Sequence, residues 1–182
     1  TPMLNRRQRQ MCIRDRTWAD KSHLVQTPDG LHLNAITGTP RGEIYIAGEG
    51  GAMFRSLDGG DNWEQMDVGY HGTLFGVVYD PVNDALRVFG LGSALYQSPD
   101  KGVTWQAMQS PVKATFAGGT AGEEGQTLLV GPGGMLLVIE GDTGNIRAMP
   151  QPGRRNYSKA LALGAGELVL VGRGGPHRVR LE

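Results

Sequence analysis

The 182-residue chain has a single cysteine, Cys12, so neither an intrachain disulfide framework nor a cysteine-based metal site is open to it. No run of 18 apolar residues occurs, and no segment reads as a membrane-spanning helix. Apolar spacing with a 3.6-residue period over about ten residues is also missing, so no substantial helix is expected. The four histidines, His23, His32, His71 and His177, show neither H-x-H nor H-E-x-x-H spacing, which leaves a zinc site unsupported. Phosphate-binding and dinucleotide fingerprints are absent as well. Gly131-Pro132-Gly133-Gly134 runs into an apolar strand-like segment instead of a helix, and reads as a hairpin turn. These absences point away from cofactor chemistry, and no cofactor is expected.

Basic and acidic residues balance at 18 each. The balance is local, however. Residues 6–16, with Arg6, Arg7, Arg9, Arg14 and Arg16, match an in-frame translation of a transposase adaptor used in sequencing libraries, and are set apart from fold reasoning. Residues 17–182 then carry 13 basic and 17 acidic side chains, a net charge of −4. No basic stripe for a phosphate backbone remains, so nucleic acid is not an expected partner.

What the chain has in abundance is glycine, 29 residues of it, and the glycines are periodic. Gly48-Glu49-Gly50-Gly51, Gly90-Leu91-Gly92-Ser93, Gly131-Pro132-Gly133-Gly134 and Gly172-Arg173-Gly174-Gly175 recur at intervals of 42, 41 and 41 residues. A second marker keeps the same beat. Ser56-Leu57-Asp58-Gly59-Gly60-Asp61-Asn62-Trp63 returns 42 residues later as Ser98-Pro99-Asp100-Lys101-Gly102-Val103-Thr104-Trp105. Short apolar runs flank each glycine turn, which is the pattern of strands joined by hairpins.

Four strands per period of about 42 residues make a propeller blade. The spacing predicts strands over 33–37, 43–47, 52–56 and 63–68, then 74–79, 85–89, 94–97 and 104–108. The third unit follows at 115–118, 126–130, 135–140 and 145–149, and the fourth at 159–163, 167–171 and 178–181. The expected fold class is all-β: a partial, open β-propeller of four-stranded antiparallel blades, about 3.5 in number, truncated at its N-terminus. Blades are expected at roughly 31–70, 71–112, 113–155 and 156–182. Thr17-Trp18 resembles Thr104-Trp105, so 17–25 is expected to supply an outer strand of a preceding blade.

The S-x-D-x-G-x-x-W box falls between the third and fourth strands of a blade. An aspartate in a tight turn accepts backbone N–H groups, and glycine supplies positive φ. Ser56, Asp58, Gly60 and Trp63, with Ser98, Asp100, Gly102 and Trp105, are therefore expected to be structural. Glu140-Gly141-Asp142-Thr143-Gly144 reads as a weakened third copy that keeps Asp142 and Gly144, with Arg147 at the tryptophan position.

The string Gly48-x-Gly50-Gly51-x4-Ser56-x-Asp58-Gly59-Gly60-x2-Trp63 resembles the Asp-box propellers of the photosystem II stability and assembly factor family, over roughly residues 17–182. The resemblance implies a non-enzymatic scaffold that binds protein, specifically segments of a membrane protein. It implies export, to the thylakoid lumen or to a periplasm or cell envelope, without insertion in the membrane. It also implies a basic surface patch, for which Arg173, Arg55 and Arg87 are the candidates, with Arg154 and Arg155 also available. Asp boxes occur in sialidases and glycan-binding propellers too, so two alternatives stand beside the scaffold. One is a sialidase-type glycoside hydrolase, which needs an arginine triad and a tyrosine nucleophile. The other is a glycan-binding module with Trp63 and Trp105 stacking on sugars.

Overall fold

The computed structural model describes residues 22–27, 30–141 and 143–181. Among the described residues fifteen strands form four antiparallel sheets with sequential neighbours paired, three of four strands and one of three. The first sheet holds β1 (Leu33–Gly38), β2 (Ile44–Gly48), β3 (Met53–Ser56) and β4 (Glu64–Gln65). The second holds β5 (Leu74–Asp80), β6 (Ala85–Gly90), β7 (Leu95–Ser98) and β8 (Gln106–Ala107). The third holds β9 (Gly118–Ala121), β10 (Thr127–Val130), β11 (Leu136–Ile139) and β12 (Ile146–Ala148). The fourth holds β13 (Tyr157–Gly164), β14 (Glu167–Gly172) and β15 (Gly175–Arg180).

Burial explains the stacking. A small sheet with apolar residues on both faces must cover both, and each internal sheet here is sandwiched between neighbours. Tyr45, Ala47 and Met53 of the first sheet meet Leu74, Leu86 and Val88 of the second. Phe89 and Leu95 then meet Phe116, Leu129 and Leu137, while Leu128, Val130 and Leu136 meet Tyr157, Leu168 and Leu170. The first strands β1, β5, β9 and β13 are in contact from sheet to sheet and form the inner wall. Every residue of β6 is buried as a result.

The glycine turns have two separate causes. The second glycine of each of the first three turns has φ of +64° to +71° (Gly50, Gly92, Gly133), a left-handed conformation that costs a β-carbon about 1–2 kcal/mol. The first glycine is extended, and its reason is contact: a Cβ on Gly48, Gly90, Gly131 or Gly172 would lie 2.5, 2.1, 2.2 or 2.0 Å from a backbone carbonyl. Those carbonyls belong to His32, Thr73, Thr115 and Asn156, each at the entry to the innermost strand of the same sheet.

Several strand bounds shift, and the fourth strands expected over 63–68 and 104–108 keep only Glu64–Gln65 and Gln106–Ala107. The third sheet's first strand begins at Gly118, not at 115, because Pro132 has no N–H. Glu49, Leu91 and Arg173 donate to His32, Thr73 and Asn156 at 2.9–3.0 Å, and that bond anchors the start of the inner strand in the other three sheets. In the fourth sheet the last strand starts three residues early, because Gly172 and Gly175 face each other across a two-residue hairpin. The outer strand expected over 17–25 lies largely outside the described residues, and within its described part, 22–25, Ser22–Leu24 is a 3₁₀ turn.

Candidate functional site

The Asp boxes are built alike. Ser56 Oγ donates to Asp58 Oδ1 at 2.8 Å and accepts from the Gly60 amide at 2.8 Å. Asp58 accepts from the Asp61 and Asn62 amides at 3.1 and 2.8 Å and from Asn62 Nδ2 at 2.7 Å. In the next sheet Ser98 Oγ donates to Asp100 and accepts from Gly102 at 2.8 and 2.7 Å, while Asp100 accepts from the Thr104 amide and hydroxyl at 2.8 and 2.6 Å. The tryptophans are half-buried in matching places, though Trp63 Nε1 donates to the Gly60 carbonyl at 3.2 Å while Trp105 packs on the first apolar cluster with its Nε1 unpartnered. A Cβ on Gly60 or Gly102 would meet Cζ2 of Trp63 or Trp105, at 3.7 and 3.5 Å.

The bonds from Asn62 and Ser56 hold the Asp58 carboxyl down to about 2, and those from Thr104 and Ser98 do the same for Asp100. Both therefore favour the folded chain above the ordinary value near 3.8 and cease to as pH falls through about 2. The urea midpoint is expected to fall between pH 4 and pH 2, and the Asp58→Asn, Asp100→Asn double variant should flatten that fall. An undiminished acid slope in the variant would remove the boxes as its source.

The third box needs correcting. Register decides it: Arg147 lies opposite Val138 as Glu64 lies opposite Arg55. The residue in the tryptophan position is thus Ile146, packed on the second apolar cluster, and Ile139 stands where Ser56 stands. Gly144, at φ +67°, donates to the Glu140 carbonyl in a turn of its own, one residue out of step with Gly60. Asp142 lies outside the described residues.

The arginines expected on one surface separate into two groups. Arg87 is wholly buried between the second and third sheets. It donates to Asp80 Oδ2, Thr127 Oγ1 and Gln97 Oε1 at 3.0, 2.7 and 3.0 Å. It offers nothing to a partner, and its candidacy as a binding residue is withdrawn. Arg55 is committed too: it pairs with Glu64 and donates to the Lys101 carbonyl at 2.6 Å, joining the first sheet to the second sheet's Asp box. Lys101 in turn pairs with Glu43.

Arg154, Arg155 and Arg173 are exposed and lie at one end of the arc. That end carries both the glycine turns and the linkers between sheets. Gly134 donates to the Arg155 carbonyl at 2.6 Å, and Arg173 donates to the Asn156 carbonyl at 2.9 Å. The Arg155 guanidinium meets the His177 ring and packs over Gly174. Among the described residues, no carboxylate pairs with any of the three.

Further along this end lies a groove of about 760 Å³, lined by Tyr70, Tyr96, Met108, Val112 and Lys113 among others. Tyr70 and Tyr96 rings are 5.9 Å apart, and the Tyr70 hydroxyl donates to the Leu91 carbonyl at 2.8 Å. Ser93 Oγ holds the opposite lip by accepting from Ala114 at 2.9 Å. A second hollow of about 640 Å³ follows the inner wall, between β1, β5 and β9, with Lys159 at its edge. The groove is not legible in the sequence, because its walls come from segments as far as 45 residues apart, Tyr70 to Thr115. Among the described residues no group of three or more His, Cys, Asp or Glu is placed to hold a metal ion. No helix among them is long and apolar enough to cross a membrane.

Four sheets stacked about an inner wall, without closing, fix the architecture. The chain is an open arc of a β-propeller. Solved structures agree. YCF48 bound to a D1 peptide is similar at 19% identity, with a TM-score of 0.63, over 85% of this chain and 51% of that one. Virginiamycin B lyase from Staphylococcus aureus is similar at 16% identity, with a TM-score of 0.68, over 87% and 58%. The β-propeller domain of Myceliophteria thermophila Cps50 (Swd1) is similar at 10% identity, with a TM-score of 0.66, over 84% and 54%. The chain thus spans little more than half the length of the propellers it matches, and at these identities the likeness is one of fold. No family model and no curated protein matches the chain.

Proposed function

We propose that this propeller arc is a non-enzymatic scaffold that holds an extended, acidic segment of a membrane protein. It does so in an exported compartment, in the manner of photosystem II assembly factors. The observation that carries the reading is the trio Arg154, Arg155 and Arg173, exposed and without carboxylate partners among the described residues, on the same end as an aromatic groove. Guanidinium groups suit peptide carboxylates, which they bind in a forked geometry, and the Tyr70–Tyr96 pair offers a surface for an adjoining apolar side chain. A propeller of the same fold, YCF48, binds a D1 peptide, which supports a protein segment as the ligand class.

Lyase and scaffold share this fold, so the site must decide. A sialidase-type reading would draw on the same three arginines, but it also needs a tyrosine free to attack. Tyr157, nearest to them in the chain, is turned into the apolar cluster between the third and fourth sheets at 4% exposure. Glycan stacking on Trp63 and Trp105 would need rings that stand open, and both are half-buried with the Cζ2 edge against a box glycine.

The test is fluorescence anisotropy with a labelled peptide rich in Asp and Glu and carrying one aromatic residue. Three exposed ionic contacts of about 0.5–1 kcal/mol each predict a loss of roughly 10- to 150-fold when Arg154, Arg155 and Arg173 are all changed to Ala. The binding should also weaken with salt. Equal affinity in the triple variant would reject the site.

A further inference from the structure

An aspartyl carboxyl and the amide nitrogen that follows it react with each other most readily when the next residue is glycine, because no side chain shields the nitrogen. The chain holds two such pairs, Asp29-Gly30 and Asp58-Gly59, and Asp29 lies outside the described residues. In the first Asp box the nitrogen is unguarded. Leu57, Asp58 and Gly59 are all exposed, and a Cβ on Gly59 would meet nothing within 4 Å. Among the described residues nothing accepts from the Gly59 amide. The carboxyl is the guarded partner. Ser56 Oγ and Asn62 Nδ2 hold its two oxygens at 2.8 and 2.7 Å, and the Asp61 and Asn62 amides draw it forward at 3.1 and 2.8 Å. Attack on Cγ needs the carboxyl turned back toward Gly59, which these four bonds oppose.

The second box differs at the position that matters. Lys101 stands where Gly59 stands, its side chain pairs with Glu43, and its carbonyl accepts from Arg55 at 2.6 Å. The nitrogen beside Asp100 is thus shielded by a side chain and held in a clamped residue. Led by the Asn62 contact, the bonds of the first box also keep the Asp58 carboxyl at about 2, below the ordinary 3.8. The protonated form, which is the reactive one, is scarce while the box is closed.

We propose that Asp58 is a site of spontaneous covalent modification, the isomerisation of its link to Gly59 into isoaspartate, and that the hydrogen bonds of the Asp box gate it. Gly59 N attacks Cγ of the protonated carboxyl. The new N–Cγ bond closes a succinimide ring, and the amide proton leaves with the carboxyl hydroxyl as water. Water then adds at the Asp58 backbone carbonyl, breaks its bond to nitrogen, and leaves the main chain running through Cγ. Mass is unchanged, and no reactant besides water is needed. The product carries its carboxylate directly on Cα, one carbon shorter in reach, so Ser56, Asp61 and Asn62 lose the acceptor they share. A box that opens for long enough is therefore opened for good. The first sheet loses the turn that leads β3 into β4, while the second keeps its own.

Peptide mapping with an isoaspartate-specific methyltransferase, on the 182-residue chain stored for weeks at mildly acidic pH, reads the reaction at each aspartate. In urea Asp58 and Asp29 should isomerise alike, and Asp100 far more slowly. In the folded chain Asp58 should react more slowly than in urea by on the order of ten- to a hundredfold. Asn62→Ala is an exposed change that removes one gating bond, and should speed the folded-state reaction about 2- to 10-fold. Gly59→Lys copies the second box, where lysine already holds φ +60°, and should suppress isoaspartate at position 58. Circular dichroism shows whether each variant is folded, and the parent chain alone, folded against urea, decides the matter if one is not. Equal rates at Asp58 in the folded chain and in urea, or a folded Asn62→Ala variant no faster than the parent, would remove the gate. Isoaspartate forming at Asp100 as fast as at Asp58 would remove the site.

Discussion

Replacing Arg87 by alanine is expected to destabilise the chain by about 3–5 kcal/mol, because removing one member of a buried ion pair leaves the other charged and unpaired. Asp80 and Arg87 are both 0% exposed, and their 3.0 Å contact lies between the second and third sheets. Asp80 keeps three neutral donors, the amides of Val82 and Asn83 at 3.0 and 3.2 Å and Asn83 Nδ2 at 2.8 Å. These place the loss toward the lower end of the range. Thr127 Oγ1 across the junction also loses its donor, so the third sheet should loosen from the second. For a chain of this size the melting temperature should fall by roughly 6–20 °C. The register suggests the control. Tyr45 and Leu128 occupy the Arg87 position in the first and third sheets, so the position accepts an apolar side chain once the charge opposite is gone. Arg87→Leu combined with Asp80→Asn should therefore be more stable than Arg87→Ala, as replaced buried pairs often are. Loss of less than about 1 kcal/mol in Arg87→Ala would mean the pair is solvated in solution.

How far the sequence carries the fold is visible in these residues. The period, the hairpins and the first two Asp boxes follow from glycine spacing and S-x-D-x-G-x-x-W alone, since each rests on local backbone chemistry. Arg87 shows where local reading stops. It was a surface candidate because charged residues are seldom buried, yet it sits inside Leu86-Arg87-Val88-Phe89, a run whose neighbours are all buried. Reading the 42-residue period across that column, which holds Tyr45 and Leu128, would have marked the position as interior. The third box failed for a related reason. Matching letters aligned Asp142 and Gly144 with a motif, whereas the strand pairing aligns Ile139 and Ile146, and pairing is a long-range fact that letters do not carry. The arginines were legible only as separate candidates, because Arg155 and Arg173 are brought together by the pairing of β13 with β14, Tyr157 opposite Gly172.

Gly90→Ala is expected to cost about 2–4 kcal/mol, although the backbone there is extended and open to any residue. Its φ is −173°, so strain in φ is not the cause. The added carbon would lie 2.1 Å from the Thr73 carbonyl oxygen and 3.0 Å from Leu74 Cα. Backbone cannot swing aside as a side-chain tip can, so the inner strand β5 must move. Overpacking of this kind costs about 1–3 kcal/mol, and the Leu91 to Thr73 hydrogen bond, 3.0 Å long, adds about 0.5–1.5 kcal/mol when lost. Gly92, two residues on, gives the contrast: a Cβ there meets nothing within 4 Å, but φ is +64°. Gly92→Ala should cost only about 1–2 kcal/mol, the left-handed penalty alone. Ser93 beside it already tolerates φ +66°. Urea unfolding of the two variants separates contact from conformation as the reason for a glycine. If Gly92→Ala is the more damaging, the close approach of each turn to its inner strand is not what ties a blade together.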